Sequence, residues 1–371
     1  MKIPLVDLKV QYLSIKKEID SAIQGIIDNT SFIMGAPVKN FEENLAKFCS
    51  CKYAVGVSSG TSALFLALKA YGIKEGDEVI TVPNSFIATA EAIMQCGAKP
   101  VFVDVDDRAM LIDVKKIEKA ITPKTKAIIP VHLYGQICDM EPIINIAKKH
   151  NLIILEDAAQ AIDAECSGRK IPVHETAIFS FFPAKNLGCY GDGGAVVTNN
   201  DEIARLVSKL RDHGRVSKYD SDMIGYGERL DALQAAILDS KLKHLHEWTN
   251  KRRQHARKYN ELLKEIKEIT MPFEDKHSKH VYYMYVIRTK KRDELMSFLK
   301  KNEISTGIHY PVPLHTQMAL KELGYKLGDF PVSEKAAKEI VSIPMYPELS
   351  DEQIKCVADN IKEFFKMIKY N

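Results

Sequence analysis

Between about residues 40 and 200, short apolar runs rich in β-branched residues alternate with longer stretches whose apolar positions recur at helical spacing. The runs at Tyr53–Val57, Glu78–Val82, Pro100–Val105, Ala127–Val131, Leu152–Leu155, Ile178–Phe182 and Ala195–Thr198 read as strands. Their near-continuous apolar character is that of strands buried on both faces, and so of a mainly parallel sheet. Thr61–Tyr71 follows a Ser-Ser-Gly start, and Ile143–His150 ends in Lys148-Lys149-His150, which suits the negative end of a helix dipole. Strand–helix alternation of this kind predicts an α/β fold, with the sheet layered between helices.

The pattern then changes. A long helical stretch, rich in Ala, Leu, Lys and Arg, runs from about Asp231 to Leu263 and is expected to link two lobes. Val281–Thr289 reads as a strand and Asp293–Asn302 as a helix. Glu352–Ile368 carries Ile354, Val357, Ile361, Phe364, Phe365 and Ile368 at helical spacing. A smaller α+β domain is expected here, so that residues 1–246 form a large domain and 247–371 a small C-terminal one. A length of 371 residues fits two domains.

Composition narrows the partners. With 46% hydrophobic and 27% charged residues, the chain is of the globular class. Its 52 basic and 49 acidic residues nearly balance, which gives no ground for a nucleic-acid partner. The cluster Lys251-Arg252-Arg253 reads as a solvated helix face. The opening Met1-Lys2-Ile3-Pro4-Leu5-Val6-Asp7 lacks the apolar run of a signal peptide, and no stretch reaches the ~18 apolar residues of a membrane span. A cytoplasmic protein without membrane contact is expected. Seven cysteines include one isolated C-x-C, Cys49 and Cys51, and show no zinc spacing. They read mostly as small buried hydrophobes, with neither a disulfide framework nor a metal.

Three segments carry candidate chemistry. Val57-Ser58-Ser59-Gly60-Thr61-Ser62-Ala63 follows a strand and opens a helix, where unpaired backbone N–H groups can bind a phosphate. In isolation the segment reads more readily as a plain Ser cap. Leu155-Glu156-Asp157-Ala158-Ala159-Gln160 puts an acidic pair at the carboxyl end of a strand, where open α/β sheets place their sites. A carboxylate there can hold a pyridinium nitrogen protonated, the electron sink of pyridoxal chemistry, or serve as a helix cap. The third runs Phe179-Ser180-Phe181-Phe182-Pro183-Ala184-Lys185-Asn186-Leu187-Gly188 and continues to Gly191-Asp192-Gly193-Gly194. An apolar strand beside a lysine can desolvate it enough to free its amine for nucleophilic work, although most lysines are simply solvated.

The order of these segments resembles the fold-type I pyridoxal phosphate enzymes. More closely, S-F-F-P-A-K-N-L-G with G-D-G-G-A, E-D-A-A-Q, the stretch from Thr122 to Gly135, and Arg229 to Leu238 are similar to the DegT/DnrJ/EryC1/StrS family of nucleotide-sugar aminotransferases. So are Ile3 to Leu8, Gly307 to His315, and Ser342-Ile343-Pro344-Met345, so the resemblance covers nearly the whole chain. It implies pyridoxal 5′-phosphate as cofactor, held by Lys185 as a Schiff base. By the same resemblance, Asp157 pairs with the ring nitrogen, Gln160 bonds the ring hydroxyl, Ser180, Gly60 and Thr61 bind the phosphate, and Phe86 stacks on the ring. Arg229 would face the sugar nucleotide from a partner subunit, with His309 and Tyr310 near the sugar or its diphosphate. A homodimer with shared active sites is thereby implied.

One position departs from the pattern. Family members carry Asn two residues before the Arg, reaching the other subunit's cofactor phosphate, whereas this chain reads Gly225-Tyr226-Gly227-Glu228-Arg229-Leu230. The implied reaction moves an amino group from glutamate to a keto-sugar nucleotide, dTDP- or UDP-linked, and the Gly307–His315 segment favours C3 over C4 amination. A sugar dehydratase of the family would carry His at position 185, and a non-catalytic relative would have less reason to keep Lys185, Asp157 and Gln160 together.

Overall fold

The computed structural model describes residues 1–369. Three helices precede the first strand: α1 (Leu8–Ser14), α2 (Lys16–Asp28) and α3 (Ala36–Cys49). The alternating region then runs β1 (Tyr53–Val57), α4 (Gly60–Ala70), β2 (Glu78–Thr81), α5 (Ala88–Gln95), β3 (Lys99–Phe102), α6 (Val114–Ala120), β4 (Thr125–Ile128), α7 (Met140–His150) and β5 (Ile153–Asp157). After a small hairpin, β6 (Glu165–Cys166) and β7 (Arg169–Lys170), come β8 (Thr176–Ser180), β9 (Gly194–Thr198) and α8 (Asp201–Leu210).

Seven strands form one sheet in the order β1-β9-β8-β5-β4-β2-β3. It is mainly parallel, as the apolar runs predict; β9 alone among its strands runs antiparallel, to both β1 and β8. Successive residues feed two separate cores, one on each face. Ala54, Ile80, Ile128, Ala177, Phe179 and Val197 face one side. Val55, Val79, Ala127, Ile178 and Val196 face the other, against Leu64 and Leu68 of α4 and Ile203 and Val207 of α8. This two-sided burial is why the strands look apolar without alternation.

The helical stretch expected from Asp231 to Leu263 is two helices, α9 (Ala232–Leu242) and α10 (Leu245–Leu263), parted at Lys243 and His244. The break lets α9 pack on α2 and α3 while α10 turns away to meet a later helix, α13. The strip β10 (Ser278–Lys279) joins the hairpin of β6 and β7. Then follow β11 (Tyr285–Arg288), α11 (Arg292–Lys301), α12 (Pro331–Glu339), β12 (Ile340–Ile343) and α13 (Asp351–Lys369). Strand β11 is shorter than the expected Val281–Thr289, because residues 281 and 284 bond instead to Gly135 and Tyr134.

A third core gathers Tyr259, Leu263, Tyr285, Leu299, Val341, Ile361 and Phe365. Ile3 belongs to it, fully buried, with its N–H on the Glu303 carbonyl and its own carbonyl receiving Ser305 N–H, both at 2.9 Å.

The Lys251-Arg252-Arg253 cluster is not a solvated face. Lys251 behaves as expected, paired with Glu247 at 2.8 Å near the surface. Arg253 pairs with Glu274. Arg252 is 3% exposed, and its Nη1 reaches the carbonyls of Met345, Tyr282 and Tyr283 at 2.9, 3.2 and 3.4 Å. Four cysteines, at 49, 96, 138 and 189, are buried, and 51, 166 and 356 are partly so; all seven are free. No helix among the described residues is long and apolar enough to cross a membrane.

Candidate active site

The carboxyl ends of β5 and β8 and the amino end of α4 open on one cavity of about 370 Å³. Its wall is built from all three segments singled out in the sequence. Lys185, Asp157, Gly60, Thr61, Phe86, Gln160, Ser180, His309 and Tyr310 all line it.

Lys185 sits on the turn after β8. Its N–H bonds the Phe182 carbonyl at 2.8 Å, and Cys189 N–H returns to the Phe181 carbonyl at 2.8 Å. The turn is too tight for a side chain at Gly188, where a Cβ would lie 2.2 Å from the Pro183 carbonyl oxygen. Lys241, buried in α9, fixes it from behind by donating to the Gly188 carbonyl at 2.6 Å. The half-buried Lys185 amine lies 4.5 Å from the centre of the Tyr283 ring. Burial brings its pKa down to about 8, against the pull of Asp157 in the other direction.

The acidic pair at the end of β5 divides between two tasks. Asp157 faces the cavity, 4% exposed, and accepts from Thr89 Oγ1 at 2.8 Å and Ala159 N–H at 3.2 Å. Burial raises its pKa; those hydrogen bonds and the charge of Lys185 work the other way. Glu156 does not line the cavity; it accepts from His132 Nε2 at 3.0 Å and from the N–H groups of Val173 and His174 at 3.1 and 2.9 Å. His132 Nδ1 receives Cys138 N–H at 3.2 Å, which leaves the ring proton on Nε2 for Glu156. Glu156 therefore anchors the strand end from which Asp157 projects.

Gly60 and Thr61 open α4 behind the cap Ser59, whose Oγ accepts from Ser62 N–H at 3.0 Å. The N–H groups of Gly60 and Thr61 have no partner among the described residues. Ser180 lies close against this helix start: a Cβ at Gly60 would meet the Ser180 Cβ at 2.7 Å. Gln160 accepts from Tyr134 N–H at 2.7 Å and donates to the Tyr310 hydroxyl at 3.1 Å. His309 Nδ1 bonds Ser342 Oγ at 2.9 Å, and burial, helped by the Lys185 charge, lowers its pKa. Phe86 stands over the cavity mouth, 53% exposed, 5.7 Å from the Tyr310 ring.

Arg229 is the one candidate outside this cavity. It pairs with Asp212 at 2.7 Å. Packing does not demand a glycine at 227, since a Cβ there would make only ordinary contact, 3.4 Å from the His213 ring. Sequence reasoning missed Thr89 and Tyr283. Thr89 stands three residues after Phe86 and carried no signal beyond that; Tyr283 was hidden in an aromatic run that reads as core.

An anion seat of free N–H groups and a serine hydroxyl, a buried carboxylate, and an amine poised near neutrality fit the phosphate, ring nitrogen and aldehyde of pyridoxal phosphate. Known proteins agree. The profile of the DegT/DnrJ/EryC1/StrS aminotransferase family matches residues 13–362. A Geobacillus stearothermophilus protein named pleiotropic regulatory protein is 47% identical over 99% of both chains. The dTDP-3-amino-3,4,6-trideoxy-alpha-D-glucose transaminase of Streptomyces venezuelae is 39% identical over 99% of this chain and 97% of its own. The UDP-2-acetamido-2-deoxy-3-oxo-D-glucuronate aminotransferase of Pseudomonas aeruginosa is 42% identical over 96% and 98%. The crystal structure of S. venezuelae DesV with a ketimine intermediate superposes with a TM-score of 0.97 at 40% identity, over 98% of this chain and 99% of that one. Bacillus subtilis NtdA with bound PMP gives 0.91 at 30% identity, over 98% and 85%. The chain belongs to the DegT/DnrJ/EryC1/StrS aminotransferase family and is an aminotransferase that depends on pyridoxal phosphate.

Proposed function

We propose that this enzyme transfers an amino group from glutamate to C3 of a keto-sugar nucleotide, a 3-keto-6-deoxyhexose or related sugar linked to dTDP or UDP. The observation that carries the chemistry is the Lys185 amine set in one cavity with Asp157 and the α4 anion seat. Support for the acceptor comes from the relatives, two of which are named for 3-amino and 3-oxo sugar nucleotides.

Bound pyridoxal phosphate supplies an electron sink that stabilises negative charge at the substrate carbon. Each residue then has a task. Lys185 would hold the cofactor through its amine, and that same amine is placed to move a proton at the substrate carbon. Asp157, made proton-avid by burial, keeps the ring nitrogen protonated, and Thr89 holds its carboxylate in place. Gly60 and Thr61 N–H groups and the Ser180 hydroxyl bind the phosphate. Gln160 has one amide proton left for the ring hydroxyl after donating to Tyr310. Phe86, at the cavity mouth, would stack on the ring and help exclude water. Tyr310 and His309 border the sugar.

Arg229 would act across a homodimer, in the partner's cavity. The half-exposed Phe32 and Ile33 and the exposed Ile224 support such an interface. Gly227 offers no side chain to the partner's phosphate where relatives carry Asn, and one lost neutral hydrogen bond costs about 1 kcal/mol.

Incubation with a panel of 3-keto and 4-keto nucleotide sugars, followed by NMR of the product, tests the reading. Nitrogen on C3 is expected; nitrogen on C4 rejects the regiochemistry. The lysine makes a separate prediction. Only the neutral amine attacks an aldehyde, so the rate at which apoprotein takes up pyridoxal phosphate should rise with pH to a midpoint near 8 and then level off. A midpoint near the ordinary lysine value of ~10.4 contradicts it.

A further inference from the structure

Tyr283 lines the same cavity yet has no task in the scheme above. It is 6% exposed and its ring covers the Lys185 amine at 4.5 Å. Its hydroxyl makes no hydrogen bond to another described residue, and the residue forms part of the cavity wall. A buried polar group in this position is satisfied by what enters the site.

The backbone holds the ring where it is. Val281 N–H bonds the Gly135 carbonyl at 2.9 Å and Met284 N–H the Tyr134 carbonyl at 3.4 Å. Arg252 grips the carbonyls of Tyr282 and Tyr283. Asn186, next to Lys185, donates to the Val281 carbonyl at 3.3 Å. Tyr283 is thus tied to α10, to the turn at 134–135 and to the turn of the lysine itself.

Its chemistry points to one of the two substrates. Burial lifts the phenol to about 12, with Arg252 opposing, so it is neutral near pH 7, able to donate and to accept. The two carboxylates of glutamate are best met by cations, which a phenol does not supply. A sugar presents uncharged hydroxyls, each of which can both donate and accept. We propose that Tyr283 is a specificity-determining residue for the amino acceptor, its hydroxyl bonding a ring hydroxyl of the sugar next to the carbon presented to Lys185. This rests on the keto-sugar reading above.

Tyr283→Phe removes the hydroxyl and keeps the ring over Lys185. The KM for the keto-sugar nucleotide should rise about five- to tenfold. The glutamate half-reaction, followed by absorbance of the holoenzyme without acceptor, should stay within about twofold, which a general structural defect would not allow. An acceptor lacking the neighbouring hydroxyl should be used equally well by the variant and the unaltered protein. An unchanged KM in the variant, or equal losses in both half-reactions, overturns the assignment while leaving the keto-sugar reading intact. If the unaltered protein aminates no keto-sugar nucleotide, that reading falls and the role of Tyr283 falls with it.

Discussion

Replacing Lys185 by alanine is expected to reduce turnover by at least about 10⁴-fold, because in the proposed scheme one substitution removes both the cofactor's covalent partner and the proton carrier. The steps fail together, so restoring the amine from solution should recover only part of the rate. Borohydride reduction followed by peptide mapping gives a direct check. The intact protein should carry the label on the peptide containing Lys185; a label of equal yield in the alanine variant would show that another lysine does the work. Lys241 is the strongest internal competitor, since burial brings it too to about 8. Its amine, however, is committed to the Gly188 carbonyl and does not line the cavity. The experiment also bears on the 47% identical relative whose name is regulatory. The cavity here keeps the amine, the buried carboxylate and the anion seat, which a purely regulatory protein has no physical need to preserve.

Asp157→Ala should rank second, with a loss of about 10²–10³ in kcat, the range typical when one preorganised electrostatic partner is removed. Without the carboxylate the ring nitrogen loses its proton, and the charge developing at the substrate carbon is less well spread. Thr89 then loses its acceptor, so a modest drop in stability is also expected. Asp157→Asn separates the two effects: the amide oxygen can still accept from Thr89, so melting should recover while kcat stays low. Recovery of kcat in the asparagine variant would mean that Asp157 positions its neighbours and does not govern the ring's charge.

The central sheet could be read from sequence because its strands are buried on both faces, and an apolar run of this kind admits few other settings. The antiparallel course of β9 could not, since strand direction leaves no mark on a run such as Ala195–Thr198. The division of the 231–263 stretch is equally silent. No Pro or Gly stands at Lys243 and His244, and the break comes from the separate neighbours of α9 and α10. Charge misled in one place, for nothing local to Arg252 reveals that carbonyls 30 and 93 positions away wait for its guanidinium. The site followed the same division. Asp157 ends a strand, Gly60 starts a helix and Lys185 sits on the turn that follows a strand, places with their own sequence signature. Tyr283 lies inside Val281-Tyr282-Tyr283-Met284-Tyr285, where only the tertiary fold turns one tyrosine toward the lysine and the next into the core.

The seating of Ile3 bears on how the protein is made. Its backbone partners, Glu303 and Ser305, emerge from the ribosome about 300 residues later. At ~5–20 residues per second, that is a delay of about 15–60 s. Throughout it the opening segment carries unpaired N–H and C=O groups and an isoleucine with nowhere to go, while the large sheet is already able to close. The core that holds Ile3 can be completed only once residues as late as Phe365 have been made. A nascent chain of this protein is therefore most exposed to chaperone capture, or to pairing with a neighbouring copy, around Ile3.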